Sequence, residues 1–251
     1  MDSIPFWKPY IDQSLANRLL ALLRPAERSR LLSRAEWVEL DRQQMLGRAG
    51  ERLSHVYFPT NSMVSLLSNL NGVRNCGASQ LGFEGMLGAS AGSGVSASAF
   101  DAVVSGAGQA WRIRLNVWRG QCLASRSLRV IAARYQYVQL SQMGTMVACV
   151  HCHSLAQRLA RLLLASTTQL RSPDIEMTHA GLAKLLGVRR AGVTVAAGQL
   201  QERGVIQYAR GHILVLDSPA LLAQSCGCFL QDERIYEQVM SGSLLRRHPH
   251  T

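Results

Sequence analysis

The chain has 251 residues, 47% of them hydrophobic, enough to build one large or two ordinary cores and too many for a disordered tail protein. Its formal charge is +11, and all but Lys8 and Lys184 of its 27 basic residues are Arg. Arg bias suits phosphate and guanine edges but also follows from a high-GC coding preference, so alone it decides little. The sequence has no run of about 18 apolar residues and no signal-peptide core at MDSIPFWKPYIDQS. No membrane association is expected, and a cytoplasmic chain would keep its six cysteines mostly as thiols.

The helical period between Asp12 and Leu32, interrupted by Pro25, predicts two short helices, Ser14–Leu23 and Ala26–Leu32. From Ala35 the character turns to β. Trp37–Leu40, His55–Phe58, Met63–Leu67, Phe100–Val104 and Gln109–Leu115 are short strand-like runs, parted by turn residues such as Gly47, Gly50, Pro59 and Asn71-Gly72. Strands this short and close predict a small barrel or jelly-roll. The Gly, Ala and Ser excess over Asn69–Ser98 predicts a mobile loop or a cavity rim. From Val117 to Cys149 the helical period returns. Leu128, Ile131, Tyr135, Val138, Gln142, Thr145 and Cys149 follow at alternating steps of three and four, as in a coiled-coil seam. His153–Gln169 reads as a further helix.

The most specific stretch is Met177–Leu216, MTHAGLAKLLGVRRAGVTVAAGQLQERGVIQYARGHILVL. Thr178 has the hydroxyl of an N-cap, Leu182, Leu185 and Leu186 give one apolar face, and Gly187 supplies a sharp turn. A second helix starts at Arg189, buries Val193, Ala197 and Leu200, and stops at Gly204. Val205–Tyr208 and His212–Leu216 then pair across Ala209-Arg210-Gly211 as a basic-tipped hairpin. A helix, glycine turn and arginine-tipped second helix is the arrangement that enters a DNA major groove, with the hairpin as a wing. A helical hairpin with a purely structural ribbon is the competing reading.

This stretch resembles the winged helix-turn-helix of the Crp/Fnr superfamily of bacterial transcription regulators, with LAKLLGVRRAGVT as the core of the likeness over Ser154–Leu216. The resemblance implies an α+β chain: an N-terminal jelly-roll-like β-roll sensor with its helices over residues 1–118, a dimerisation helix over 119–150, a winged helix-turn-helix over 151–220, and a C-terminal helix and tail over 221–251. It implies a homodimer joined through Leu128, Ile131, Tyr135, Val138 and Gln142, reading a pseudo-palindromic operator in double-stranded DNA, with RNA polymerase as a further partner. Base contacts fall to Arg190, Ala191 and Val195. Only the first keeps the residue of the cyclic-AMP receptor branch, so that branch's half-site does not carry over. Thr178, His179, Arg189, Thr194 and Arg210 are placed to touch the DNA, mainly its phosphates.

In the sensor the family sets a Gly-Glu pair and an Arg-Ser/Thr-Ala on a cyclic nucleotide. Here the match is Gly82-Phe83-Glu84-Gly85-Met86 followed by Val95-Ser-Ala-Ser-Ala99, with no Arg between Arg74 and Arg112. A buried cyclic phosphate would lack its cation, so cyclic AMP is not the expected effector. Glu84 and Gly85 stay as candidates for a pocket whose effector is unknown, and no cofactor is expected. Cys149, Cys152 and His153 form the alternative, a thiol or metal sensor; Cys226-Gly-Cys228 is too closely spaced to make a site without partners. A small-molecule-binding protein with no DNA target is a further alternative. No G-x-S-x-G, P-loop, H-E-x-x-H or dinucleotide fingerprint in the right structural context points to an enzyme.

Overall fold

The computed structural model describes residues 16–70 and 73–242, so the expected helix start at Ser14, the Asn71-Gly72 turn and the tail Arg246–Thr251 lie outside the described residues. Two short helices open it, α1 (Arg18–Ala21) and α2 (Pro25–Leu32). Asn17 is fully buried and caps α1 by accepting from the Leu19 and Leu20 amides at 3.0 and 3.3 Å. Its amide group donates to Pro59 O (2.9 Å) and Gly85 O (2.8 Å). One satisfied polar side chain thus ties the first helix to two loops of the domain behind it.

That domain is a roll of two antiparallel sheets. One has the order β1 (Glu36–Leu40), β7 (Gly108–Arg114), β3 (His55–Pro59). The other runs β2 (Met45–Gly47), β6 (Asp101–Gly106), β4 (Met63–Leu70), β5 (Val73–Leu81). The predicted strands are present, and β6 shows the strict in–out alternation of a half-buried strand. Two strands come in addition. β2 is only three residues long, and β5 runs through the stretch expected to be a mobile loop or a cavity rim. Ala89–Ser93 is a 3-10 turn with Ala89 and Ala91 buried, and a Cβ at Gly92 would lie 3.3 Å from Cys122 Sγ and 3.6 Å from Ala132 Cβ. Its small residues permit close helix approach, and Cys76, Gly77, Ser79, Gln80 and Glu84 form part of a cavity rim, the other form expected of the stretch.

α3 (Leu115–Ala124) leaves β7, and Ser125 breaks the helix before α4 (Arg126–Cys152), capping it through the Leu128 amide at 3.2 Å. The seam expected to bind a twin faces the other way. Leu128, Tyr135 and Val138 are buried in the chain's own first core, with Ile131 packed against it, and Gln142 lines an internal cavity. The opposite face of α4 carries Val130, Ala133, Tyr137, Leu140, Gly144, Val147 and His151, all exposed and again at steps of three and four. Both faces have the period; the roll and a later helix claim one of them.

Beyond a capping box formed by Ser154 and Gln157 comes α5 (Leu155–Leu170), followed by β8 (Asp174–Glu176), α6 (His179–Leu186), α7 (Arg190–Glu202), β9 (Ile206–Ala209) and β10 (His212–Val215). β8, absent from the sequence reading, adds a third strand to the wing, in the order β8-β10-β9. A second core gathers Leu159, Leu163, Leu182, Val193, Leu200, Ile213 and Leu221, and takes in Met63 from β4. After α8 (Ser218–Gln224), α9 (Cys228–Ser241) returns to the roll. Phe229 at its start belongs to the second core, whereas Tyr236, Val239 and Met240 belong to the first.

Candidate nucleic-acid interface and interdomain cavity

α7 is amphipathic in the sense a groove reader needs. Val193, Ala196, Ala197 and Leu200 are buried, and Arg189, Arg190, Ala191, Thr194 and Val195 are all exposed, Val195 at 62%. Thr178 caps α6 by accepting from the Gly181 amide at 3.1 Å, and Gly187 ends that helix at φ +66, in the left-handed region glycine tolerates. Close helix packing needs another glycine: a Cβ at Gly192 would meet Leu155 Cδ2 at 2.9 Å. Arg210 sits exposed at the hairpin tip with φ 48.

The start of α7 is electrostatically unbalanced. It has no side-chain cap and no acidic residue in its first turn, and Arg189 and Arg190 stand there instead. Helix N-termini carry a partial positive charge and unpaired amides, so two arginines at this end cost stability in the free protein and favour an anion.

His179 departs from its expected role on phosphate. It is buried, its ring stacked on Tyr208 of the wing at 4.0 Å, and its Nδ1 lies 3.1 Å from Thr194 Oγ1. The Thr194 hydroxyl donates to Arg190 O at 3.1 Å, so its oxygen accepts from Nδ1–H and fixes the tautomer. Burial, and then the Arg190 charge, push the imidazole pKa down, keeping it neutral. His179 is therefore a post between the two helices and the wing. Its stacking partner Tyr208, about thirty residues on in the folded hairpin, is what covers it. Arg158 of α5 donates to Leu186 O at 2.5 Å and finishes α6.

The reader half docks on the roll through glycines. A Cβ at Gly77 in β5 would stand 2.5 Å from Leu185 O, one at Gly82 2.5 Å from Gln169 Cβ, and one at Gly106 2.4 Å from Leu170 Cδ2. Arg42 pairs with Glu176 at 2.5 Å, and the Arg171 guanidinium lies 4.0 Å from the Phe83 ring centre. α9 clamps the same seam. Tyr236 Oη donates to Glu84 O at 2.7 Å, Arg18 stacks on the Tyr236 ring and pairs with Glu233 and Glu237, and Arg161 pairs with Asp232 at 2.6 Å.

Between the halves lies a cavity of about 300 Å³, walled by β5, α4, α5, the α6–α7 turn and α9. Glu84, Gln169 and Asp232 line it, and each has one buried oxygen without a hydrogen-bond partner: Glu84 Oε2, Gln169 Oε1 and Asp232 Oδ1. Gly85 is not part of it, because Tyr135 fills the space beside it and a Cβ there would fall 1.9 Å from the phenol oxygen. Glu84 Oε1 accepts from Gly82 N (2.9 Å) and Gln169 Nε2 (3.1 Å).

Burial pushes the Glu84 carboxyl from its ordinary 4.5 up to about 7. A raised carboxyl value means that folding favours the protonated form. Its contribution is whole below pH 4.5 and is lost as pH rises through 7. Glu84→Gln should therefore flatten stability between pH 5 and 8 by about 3 kcal/mol relative to the parent, read from urea midpoints at each pH. Parallel curves for the two proteins would show that Glu84 is solvated.

Residues 157–224 match the Crp-like helix-turn-helix domain model. No curated protein matches the chain in sequence. Among solved structures, the chain is similar to one described as a Crp/Fnr-family transcriptional regulator from Eubacterium rectale, at 19% identity over 83% of this chain and 98% of that one, with a TM-score of 0.60. FixK2 from Bradyrhizobium japonicum gives 13% identity, 76% and 98% coverage, and a TM-score of 0.62. A CRP-family transcriptional regulator from Thermus thermophilus gives 18%, 75% and 96%, and 0.62. At such identities the likeness speaks for the fold, and the domain match for the reader. The chain has the Crp/Fnr fold and carries a Crp-like helix-turn-helix domain.

Proposed function

We propose that the chain is a sequence-specific DNA-binding transcription regulator of the Crp/Fnr type that acts in the cytoplasm as a homodimer, with RNA polymerase its expected protein partner. The observation that carries this reading is the exposed, arginine-tipped start of α7 beside the basic wing tip, held rigid by the His179–Thr194–Tyr208 post. No helix of the described residues is long and apolar enough to cross a membrane. Arg190 is the residue for a guanine edge, Ala191 and Val195 for thymine methyls, and Arg189, Arg210, Thr178 and Thr194 for the backbone. Twinning is assigned to the outer stripe of α4, Val130, Ala133, Tyr137, Leu140, Gly144 and Val147, in place of the inner seam. A dimer through that stripe would set two copies of α7 against half-sites of a pseudo-palindrome.

The effector reading also shifts. Cyclic AMP is disfavoured by the missing arginine and by Tyr135 filling the space at Gly85. The interdomain cavity, with three unpartnered acceptor oxygens, suits a small ligand rich in N–H or O–H donors. A ligand there touches β5, α5 and α9 together, so it would bias how the reader sits on the sensor.

The test is fluorescence anisotropy on a duplex from the gene's own upstream region, beside a scrambled duplex, across a salt series. Arg190→Ala should cost about 1–3 kcal/mol on the upstream duplex and leave scrambled binding nearly unchanged. Arg189→Ala and Arg210→Ala should weaken both duplexes alike and lower the salt slope by about one each. Equal binding to both duplexes that none of the three substitutions alters would refute the reading.

A further inference from the structure

The end of α4 and the link between α8 and α9 bring four soft donors together. Cys149, His153, Cys226 and Cys228 each offer one ligand atom, and all four atoms lie within 4.8 Å of one another. Cys149 Sγ is 3.5 Å from Cys226 Sγ, and Cys228 Sγ is 3.6 Å from His153 Nδ1. A disulfide would bring its sulfurs to about 2.05 Å, and all six cysteines are free thiols. With metal–sulfur bonds of about 2.3 Å and metal–nitrogen bonds of about 2.0 Å, a tetrahedral zinc ion holds its donors roughly 3.5–3.8 Å apart. These two separations fall in that range, and the other pairs, within 4.8 Å, need to close by no more than about 1 Å around an ion.

We propose that Cys149, His153, Cys226 and Cys228 form a Cys3His site for Zn²⁺. Three thiolates and one imidazole in a tetrahedral set select zinc among the common divalent ions, and four protein ligands close the shell in the manner of a structural site. Binding releases three thiol protons to solvent, and the ion with three thiolates carries one net negative charge. Arg161, held by Asp232 at 2.6 Å, lies close enough to Cys149 for its positive charge to favour the thiolate. Cys149 and Cys226 are buried while His153 and Cys228 are half-exposed, which gives the ion a way in. Cys152, adjacent in sequence to His153, is exposed and turned out of the set.

The site has a structural consequence. α5 to α8, the whole reader, lies between His153 and Cys226, so one ion would pin both its entry and its exit to the end of α4. The sequence alternative of Cys149, Cys152 and His153 is thus replaced by a set in which Cys226 and Cys228 take the place of Cys152.

The experiment uses the purified, reduced full-length chain. Elemental analysis should give one zinc per chain. Replacement by Co²⁺ should give intense near-ultraviolet thiolate-to-cobalt charge-transfer bands and the visible bands of tetrahedral cobalt. Cys228→Ser, a near-isosteric change at a half-exposed position, and His153→Ala should each weaken Co²⁺ binding by about 100-fold or more. Cys152→Ser should bind as the parent does, and far-ultraviolet circular dichroism checks that each variant is folded. A folded parent chain that takes up neither zinc nor cobalt stoichiometrically would overturn the proposal. So would Cys228→Ser binding Co²⁺ with the parent's affinity and the parent's charge-transfer intensity, or bands that vanish in Cys152→Ser.

Discussion

Leu140→Glu should turn the proposed dimer into a monomer while leaving each chain folded. Leu140 is 68% exposed in the single chain and sits midway along the outer stripe of α4. A carboxylate there costs the protomer almost nothing. In a twinned helix pair it is desolvated without a cation, at on the order of 3 kcal/mol or more, and two-fold symmetry applies the cost twice. Dimer affinity should fall by about ten-thousand-fold, measured by sedimentation equilibrium, with unchanged circular dichroism. Binding to a duplex with two half-sites should collapse to the level of a single half-site. The contrasting substitution is Tyr135→Ala on the inner face, which opens a hole in the first core and should cost about 3–5 kcal/mol of protomer stability. If instead Tyr135→Ala dissociated the dimer and Leu140→Glu did not, the inner seam would be the interface.

Gly77→Val should separate the reader from the roll. The strand itself tolerates valine well, since β-branched residues suit a pleated ladder. What it cannot accommodate is the turn pressing on it: the added Cβ meets Leu185 O at 2.5 Å and Leu185 Cα at 2.9 Å, and a backbone cannot rotate away as a side chain can. Overpacking of this kind costs about 1–3 kcal/mol, shifting the docked population roughly 5- to 150-fold. The radius of gyration from small-angle scattering should rise, and thermal unfolding should split into two transitions. Glu84 gives a second readout. Once the cavity opens, its carboxyl returns toward 4.5, and the decline of stability through pH 7 disappears. A variant as compact as the parent would mean that the turn can yield locally.

The reader was largely legible in the sequence because its signals are local. Thr178 caps, Gly187 and Gly204 take positive φ at the two helix ends, and the hairpin forms where expected, although Ala209, expected in the turn, pairs with His212 and only Arg210-Gly211 close it. The long strands of the roll were legible from their β-branched and aromatic runs. β5 was not: its residues are small and polar because α6 and α5 lie against the seam it helps to form. The orientation of α4 was beyond reach for a different reason. Leu128, Tyr135 and Val138 and the stripe through Tyr137 and Leu140 have the same period, and the choice between them is made by the roll together with α9, about a hundred residues later. His179 was misread because its cover, Tyr208, belongs to the next motif. Cys226 and Cys228 looked partnerless because their neighbours lie on another helix, 77 residues away in the case of Cys149.

The clamp made by α9 also bears on how the chain reaches this state. Arg18 and Glu237 meet across 219 residues, Tyr236 and Glu84 across 152. Contacts of such separation carry a large loop-closure entropy and offset it only after both cores exist, so they form late. The roll and the helix-turn-helix are each rich in nearby partners and can condense on their own. Docking is then expected to be a late step of folding, one that closes the apolar wall of the cavity and the end of β5 away from other chains. The arginine of the first helix is thereby a checkpoint for the last one: a chain that has not brought them together has folded its parts and not yet its whole.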